Sequence, residues 1–225
     1  MRKIFLAFCL CFISTAFINA QSVSNSKFSV SVDLGAGSVF GHSNLSSYGV
    51  DYRKEYKSGF SGNIKASYLL NKAFQAGLKF NLFSASENYN LARANDLAKS
   101  TQIAEDVELL YIAPQIGYRT MITDKWCLDC MAGAGYMHYN SESLNKETER
   151  ECNKGFLGAN ADLSLTRHLY RNLYMGANIS VMGGHTSSLK VETEGKEETL
   201  ELDKWNRINA VSYTHLRAHE TLANL

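Results

Sequence analysis

The feature that most limits what this chain can become is a period-two alternation of apolar and polar residues, restarted seven times. In 27–40, Phe28, Val30, Val32, Leu34, Ala36, Ser38 and Phe40 share one phase, while Ser29, Ser31, Asp33, Gly35 and Gly37 share the other. The same pattern returns in 60–70, 74–82, 110–119, 126–136, 157–165 and 173–181, and an eighth run starts at 205–211. Successive side chains of a strand point to opposite sides, so each run is a strand with one apolar and one polar face. The predicted class is all-β, with seven strands and the start of an eighth. A single proline in 225 residues, against a norm of about 5%, agrees with long unbroken ladders and argues against a loop-rich enzyme or a disordered linker.

The connections carry a second signal. Those after the second, fourth and sixth strands are short (71–72, 122–125 and 167–172), whereas 41–58, 84–106, 140–154 and 184–204 are long. Short and long alternate without exception. Outer-membrane barrels have this asymmetry, with tight periplasmic turns and longer outside loops. No stretch after residue 21 approaches the ~20 apolar residues a helical span needs, so any membrane crossing is made by strands. In 1–20, Arg2 and Lys3 precede an apolar run from Ile4 to Ile18, and Ala20 ends it with a small residue. This is the pattern of a secretory signal peptide, and its removal takes the formal charge from +1 to −1. Leu6-Ala7-Phe8-Cys9 departs from a lipidation box at bulky Phe8. A balanced charge without a basic run gives nucleic acid no foothold.

Alternation alone does not say which face points inward. Here the polar face is mostly Gly, Ser and Asn with about one charge per strand, and the charges balance: Asp33, Asp129 and Asp162 against Lys65, Lys79 and Arg119. That composition suits the narrow interior of an eight-stranded barrel, where buried charges must pair. Aromatic residues near strand ends on the apolar face, Phe28, Phe40, Phe60, Phe74, Phe80, Tyr118, Trp126 and Tyr136, fit an interfacial girdle. A soluble barrel would instead carry charge on the outside. The three carboxylates are therefore expected to face the lumen and to meet the three cations.

The three short-turn hairpins resemble one another, and Pro114-Gln115-Ile116-Gly117-Tyr118 followed by Thr123-Asp124-Lys125-Trp126 resembles a hairpin of the outer-membrane β-barrel domain family. That family includes small porin-like and OmpA/OmpX-like barrels. The resemblance covers about 27–211. It implies an eight-stranded, antiparallel, up-and-down transmembrane barrel that is monomeric, sits among outer-membrane lipids, and brings no catalytic residue, metal or cofactor. A wall-binding domain after the barrel is not expected. The implied role is structural or interactive, with an extracellular ligand or surface partner held by the loops. Two rival readings are a narrow porin for small solutes and a lipid A-modifying hydrolase.

Three groupings invite more specific chemistry. Cys127 and Cys130 form a CxxC, but on a strand they point to opposite faces and cannot easily share an ion. Cys152 lies in a long connection, and three cysteines after residue 20 leave at least one unpaired. His185 and Ser187, with Glu192 or Glu194 after them, resemble the His, Ser and acidic set of outer-membrane lipid A deacylases, although the plain reading is a solvated strand end. The connection 184–204 has six acidic and three basic residues, a run that usually means a solvated surface and matches no calcium loop. A short helix over 90–106, using Leu91, Leu97 and Ile103, is expected across the mouth.

The expected domain plan is a signal peptide at 1–20, the barrel at 21–211 and a non-native tail at 212–225. In the eighth strand Trp205, Ile208 and Ala210 fit an outward face, but the alternation stops after Val211. His215, Arg217 and His219 then crowd one phase, where a charge on a lipid face would cost a few kcal/mol. The run Ser212-Tyr213-Thr214-His215-Leu216-Arg217-Ala218-His219-Glu220-Thr221 resembles translated sequencing-adapter DNA. The closing strand is accordingly expected to be truncated or corrupted.

Overall fold

A computed structural model describes residues 27–41, 57–92, 100–145, 148–170, 173–186, 188–193, 196–201 and 207–222. All regular structure among them is strand: β1 Phe28–Gly41, β2 Lys57–Leu69, β3 Phe74–Ala92, β4 Ser100–Thr123, β5 Trp126–Asn145, β6 Thr148–Tyr170, β7 Leu173–His185, β8 Ser188–Thr193, β9 Lys196–Glu201 and β10 Arg207–Leu222. Strands β1 to β7 pair in chain order, antiparallel throughout, and β10 pairs with both β7 and β1. Eight strands thus close an up-and-down barrel, which removes the sheet edges that would otherwise need protection. The segment read as a signal peptide lies outside the described residues.

The two faces divide as the alternation predicts. Along β7 the buried positions Asn178, Ser180 and Met182 alternate with exposed Ala177, Ile179 and Val181. Around the barrel the buried side chains include Ser29, Ser31, Asp33, Asn63, Lys65, Lys79, Gln115, Asp129 and Asp162, while Leu78, Ile116, Leu157 and Leu163 face outward. A protein with its charges inside and its leucines outside is built for hydrocarbon. The outward apolar band is about ten residues tall on each strand, which at a tilt near 40° spans the required ~25 Å. Phe28, Tyr68, Phe74, Tyr118 and Trp126 mark its short-turn rim. Phe74 and Tyr118 meet edge to face at 5.7 Å, and the Arg167 guanidinium lies 5.8 Å from the Trp126 ring. Local hydrogen bonds set the tight turns. Asn71 Oδ1 accepts from the backbone N–H of Ala73 and Phe74, and Thr123 Oγ1 from those of Lys125 and Trp126.

The long connections differ from expectation. Most of 84–106 and 140–154 continues the strands, so that β3 to β6 run 19, 24, 20 and 23 residues, against 13 or 14 for β1, β2 and β7. The expected helix over 90–106 is replaced by strand at 90–92 and 100–106, and Leu97 lies outside the described residues. Pairing of Ala92 with Ser100 and of Asn145 with Thr148 satisfies the backbone as a helix would have done. Part of 184–204 forms the β8–β9 hairpin, and β8 adds to the outer end of β6. Cys152 therefore sits in β6, not in a loop.

Strand β10 carries an irregularity of its own. Thr214 pairs with Asn178 and Arg217 with Gly176, so two residues of β10 oppose the single Ala177. The register against β1 slips at the same place, between Leu34 and Gly35. Such a bulge changes which positions share a face. Below it Arg217 is paired with Asp33, and above it Ala210 with Val39 and Met182. Ile208 and Ala210, expected on the outward phase, are in register with Gly41 and Gly184 and with Val39 and Met182, and their side chains lie outside the described structure. Trp205 is outside the described residues.

Candidate functional surface and lumen

Four features qualify as candidate sites: the wall above the band, the polar lumen, the apolar tier over it, and the isolated chemical groupings. The wall consists of the outer ends of β3 to β6 with β8 and β9, hydrogen-bonded in one continuous sheet. About ten residues of β4 stand beyond the apolar band, roughly 25 Å at barrel tilt. On its outward face the register aligns acids strand by strand: Asp106 opposite Glu142, Glu142 opposite Glu151, Glu151 opposite Glu192, and Glu192 opposite Glu197. Asp106, Glu142 and Glu192 are exposed and Glu151 half-buried. Directly opposed cross-strand residues lie about 5 Å apart, and like charges there are destabilising. Sequence reading found only the net charge of 184–204. The row is assembled from five strands spread over 106–197, and nothing local in any one of them reports the register across the row.

In the lumen the expected ion pairs form. Lys79 Nζ donates to Asp162 Oδ1 at 2.7 Å and to Ser180 Oγ at 2.6 Å. Lys65 Nζ lies 3.3 Å from Asp33 and 3.7 Å from Asp162, and donates to Asn178 Oδ1 at 3.0 Å. Gln115 Nε2 and Asn160 Nδ2 complete the shell of Asp162. Nearer the short-turn end, Arg119 Nε donates to Asp129 Oδ1 at 2.5 Å, and Gln75 Nε2 to the same oxygen at 3.1 Å. Lys65, Lys79, Asp129 and Asp162 thus each keep an opposite charge and added hydrogen bonds, and Asp33 keeps the Lys65 ammonium beside it, which is what makes burial tolerable.

Above this network the lining changes character. Val39, Phe83, Ala85, Leu109, Tyr111, Ala113, Met137, Phe156 and Met182 form one buried apolar cluster across the barrel. Glycines make room for its largest members: a Cβ on Gly158 would lie 2.9 Å from Met137 Cε, and one on Gly184 2.5 Å from the Phe156 ring. The Tyr111 hydroxyl reaches down to donate to Asn160 Oδ1 at 2.9 Å, joining the tiers. The sequence signal was present but unread. Leu109 to Ala113 and Leu82-Phe83 are apolar on both phases, the mark of a strand buried on one side and lipid-facing on the other.

Among the described residues the isolated groupings are not brought together. Cys127 is buried toward the lumen and Cys130 exposed on the outer face, as the strand phase requires, and Cys127, Cys130 and Cys152 form no disulfide. His185 is exposed at the end of β7, while Ser187 and Glu194 lie outside the described residues. Glu192 belongs to the acidic row. Among the described residues no group of three His, Cys, Asp or Glu side chains is placed to hold a metal.

A closed antiparallel barrel with a paired-charge lumen, a lipid-facing apolar band and girdled rims defines an integral outer-membrane β-barrel protein. The profile of the family described as outer membrane protein beta-barrel domain matches residues 7–200, and the chain belongs to that family. No curated sequence is similar enough to match. Among solved structures, a major outer membrane protein from Thermus thermophilus aligns at TM-score 0.53 and 12% identity over 86% of this chain and 98% of that one. The outer membrane protease OmpT from Escherichia coli aligns at 0.51 and 9% over 90% and 99%. Neisserial surface protein A aligns at 0.48 and 12% over 90% and 100%. At such identities the likeness concerns fold. A protease among the similar structures shows that this fold does not by itself decide whether its bearer is an enzyme.

Proposed function

We propose that this protein is a filled, monomeric barrel with a structural or surface-interaction role, making its contacts outside the cell through the tall wall, and that it performs no catalysis. The observation that carries this reading is the one-sided extension of β3 to β6 with β8 and β9 beyond the apolar band, bearing the aligned acids on its outer face. Holding like charges side by side costs stability, and a cationic surface partner would offset that cost. A lumen packed with buried side chains supports a barrel without a channel over a narrow porin. The test removes 86–106 and 142–151, leaving both hairpins to close at the band. Cells displaying the shortened barrel are compared with cells displaying the full chain for adhesion to immobilised poly-lysine and to a panel of surface polymers. Lost adhesion with a folded barrel in the membrane is expected; unchanged adhesion refutes the assignment.

With this reading goes the proposed division into a signal peptide at 1–20, the barrel at 21–211 and a foreign tail at 212–225. Residues 212–222 pair with β1 and β7 as most of β10, with one register slip at His215, so the division rests on the break in alternation after Val211. Resequencing the locus is decisive, and a genomic frame encoding residues 212–225 would overturn the tail.

A further inference from the structure

We infer that the lumen is two compartments, a hydrated polar chamber toward the periplasm and a dry apolar plug toward the outside, and that the plug, not the ion pairs, closes the barrel to ions. The inference rests on the reading of the barrel as filled, and it names what does the filling.

Five buried polar atoms below the plug have no protein hydrogen-bond partner: Asn63 Nδ2, Gln75 Oε1, Asn81 Oδ1, Gln115 Oε1 and Asn178 Nδ2. Their residues are at most 2% exposed. Buried amide groups left unpaired are rare in native proteins, and small waters are the usual partners. All five belong to residues of the ion-pair network or its neighbours. Gln115 also donates to Asp162, Gln75 to Asp129 and Asn81 to Asn63, while Asn178 accepts from Lys65. Waters here would therefore join side chains already held in place. The Arg119 side chain, 17% exposed, marks where such a chamber meets the periplasmic side.

The buried side chains of the plug offer water little among the described residues. Phe83, Leu109, Met137 and Met182 are at most 1% exposed, half-buried Tyr139 packs against them, and the single hydroxyl among the nine buried members, that of Tyr111, points into the polar chamber. Ions crossing a hydrated polar network exchange one set of polar partners for another, whereas an apolar constriction strips their hydration without replacement, which is how hydrophobic gates work. The two tiers thus differ in what a substitution does to conduction.

Refolded full-length protein in planar bilayers tests this, alongside Met137→Ser/Met182→Ser in the plug and Arg119→Gln/Asp129→Asn in the chamber. The wild type and the chamber variant are expected to stay closed, and the plug variant to gain discrete current steps. Steps from the wild type refute both the plug and the filled barrel. Steps from the chamber variant, or a folded plug variant that stays closed, refute the plug alone and leave the adhesion result standing. A measurement on the unmodified chain guards against a plug variant that fails to fold. In micelles, NMR cross-peaks to water are expected from the side-chain amides of Asn63 and Asn81 and not from the Met137 and Met182 methyls. Hydrated methyls or dry amides would overturn the inference.

Discussion

The lower and upper lumen are lined by the same strands, yet they fill their space by opposite means. Below, Lys79, Asp162, Lys65 and Asp33 are matched by charge and hydrogen bonding. Above, Phe83, Leu109, Met137 and Phe156 are matched by shape. The difference shows that an eight-stranded lumen constrains volume and leaves the chemistry to each level. In the chamber a side chain is replaceable only by one with the same charge, and in the plug only by one with the same volume.

The largest effect is expected where charge is removed and volume kept. Lys79→Met leaves Asp162 buried with its nearer cation gone, and breaking such a pair costs about 3–5 kcal/mol. Urea unfolding in lipid vesicles should show a large fall in midpoint at unchanged slope; a small one would mean that Lys65, 3.7 Å from Asp162, suffices alone. Phe83→Ala, at a position only 1% exposed, opens a void in the plug and is expected to cost about 3 kcal/mol in the same assay. Met182→Leu keeps the volume, and its cost should stay below about 1.5 kcal/mol. If it matched Lys79→Met, the distinction between the tiers would collapse. The smallest change belongs to the wall: Glu142→Gln relieves repulsion from Asp106 and Glu151 and should stabilise by a few tenths of a kcal/mol at low salt. That gain should vanish in 1 M salt, where the screening length is about 3 Å, and a gain that persists would exclude charge as its cause.

Much of this arrangement is legible in the chain. The phases of 27–40, 74–82 and 157–165 assign Asp33, Lys79 and Asp162 to one face, and all three are buried there. The alternation breaks off at Leu82 and Leu110 because the lumen itself turns apolar at that level, and the contrast between the two faces disappears. The arms in 84–106 and 140–154 escape notice for a related reason. Their polarity on both faces looks like loop, since beyond the band the strands have water outside them instead of lipid.

Alternation is a property of one strand's backbone, in which each residue turns the next by half a revolution, so the sequence alone decided which residues share a face. It also decided the order of turns and arms, because tight connections need only their own few residues. Which charges meet across the lumen, and which acids stand side by side on the wall, depends on register between strands far apart in the chain. Lys65 finds Asn178 across 113 positions. The register of β10 is likewise set only where β1 and β7 hold it from both sides. Closure of the ring fixes every register at once, and no short window of sequence contains that condition.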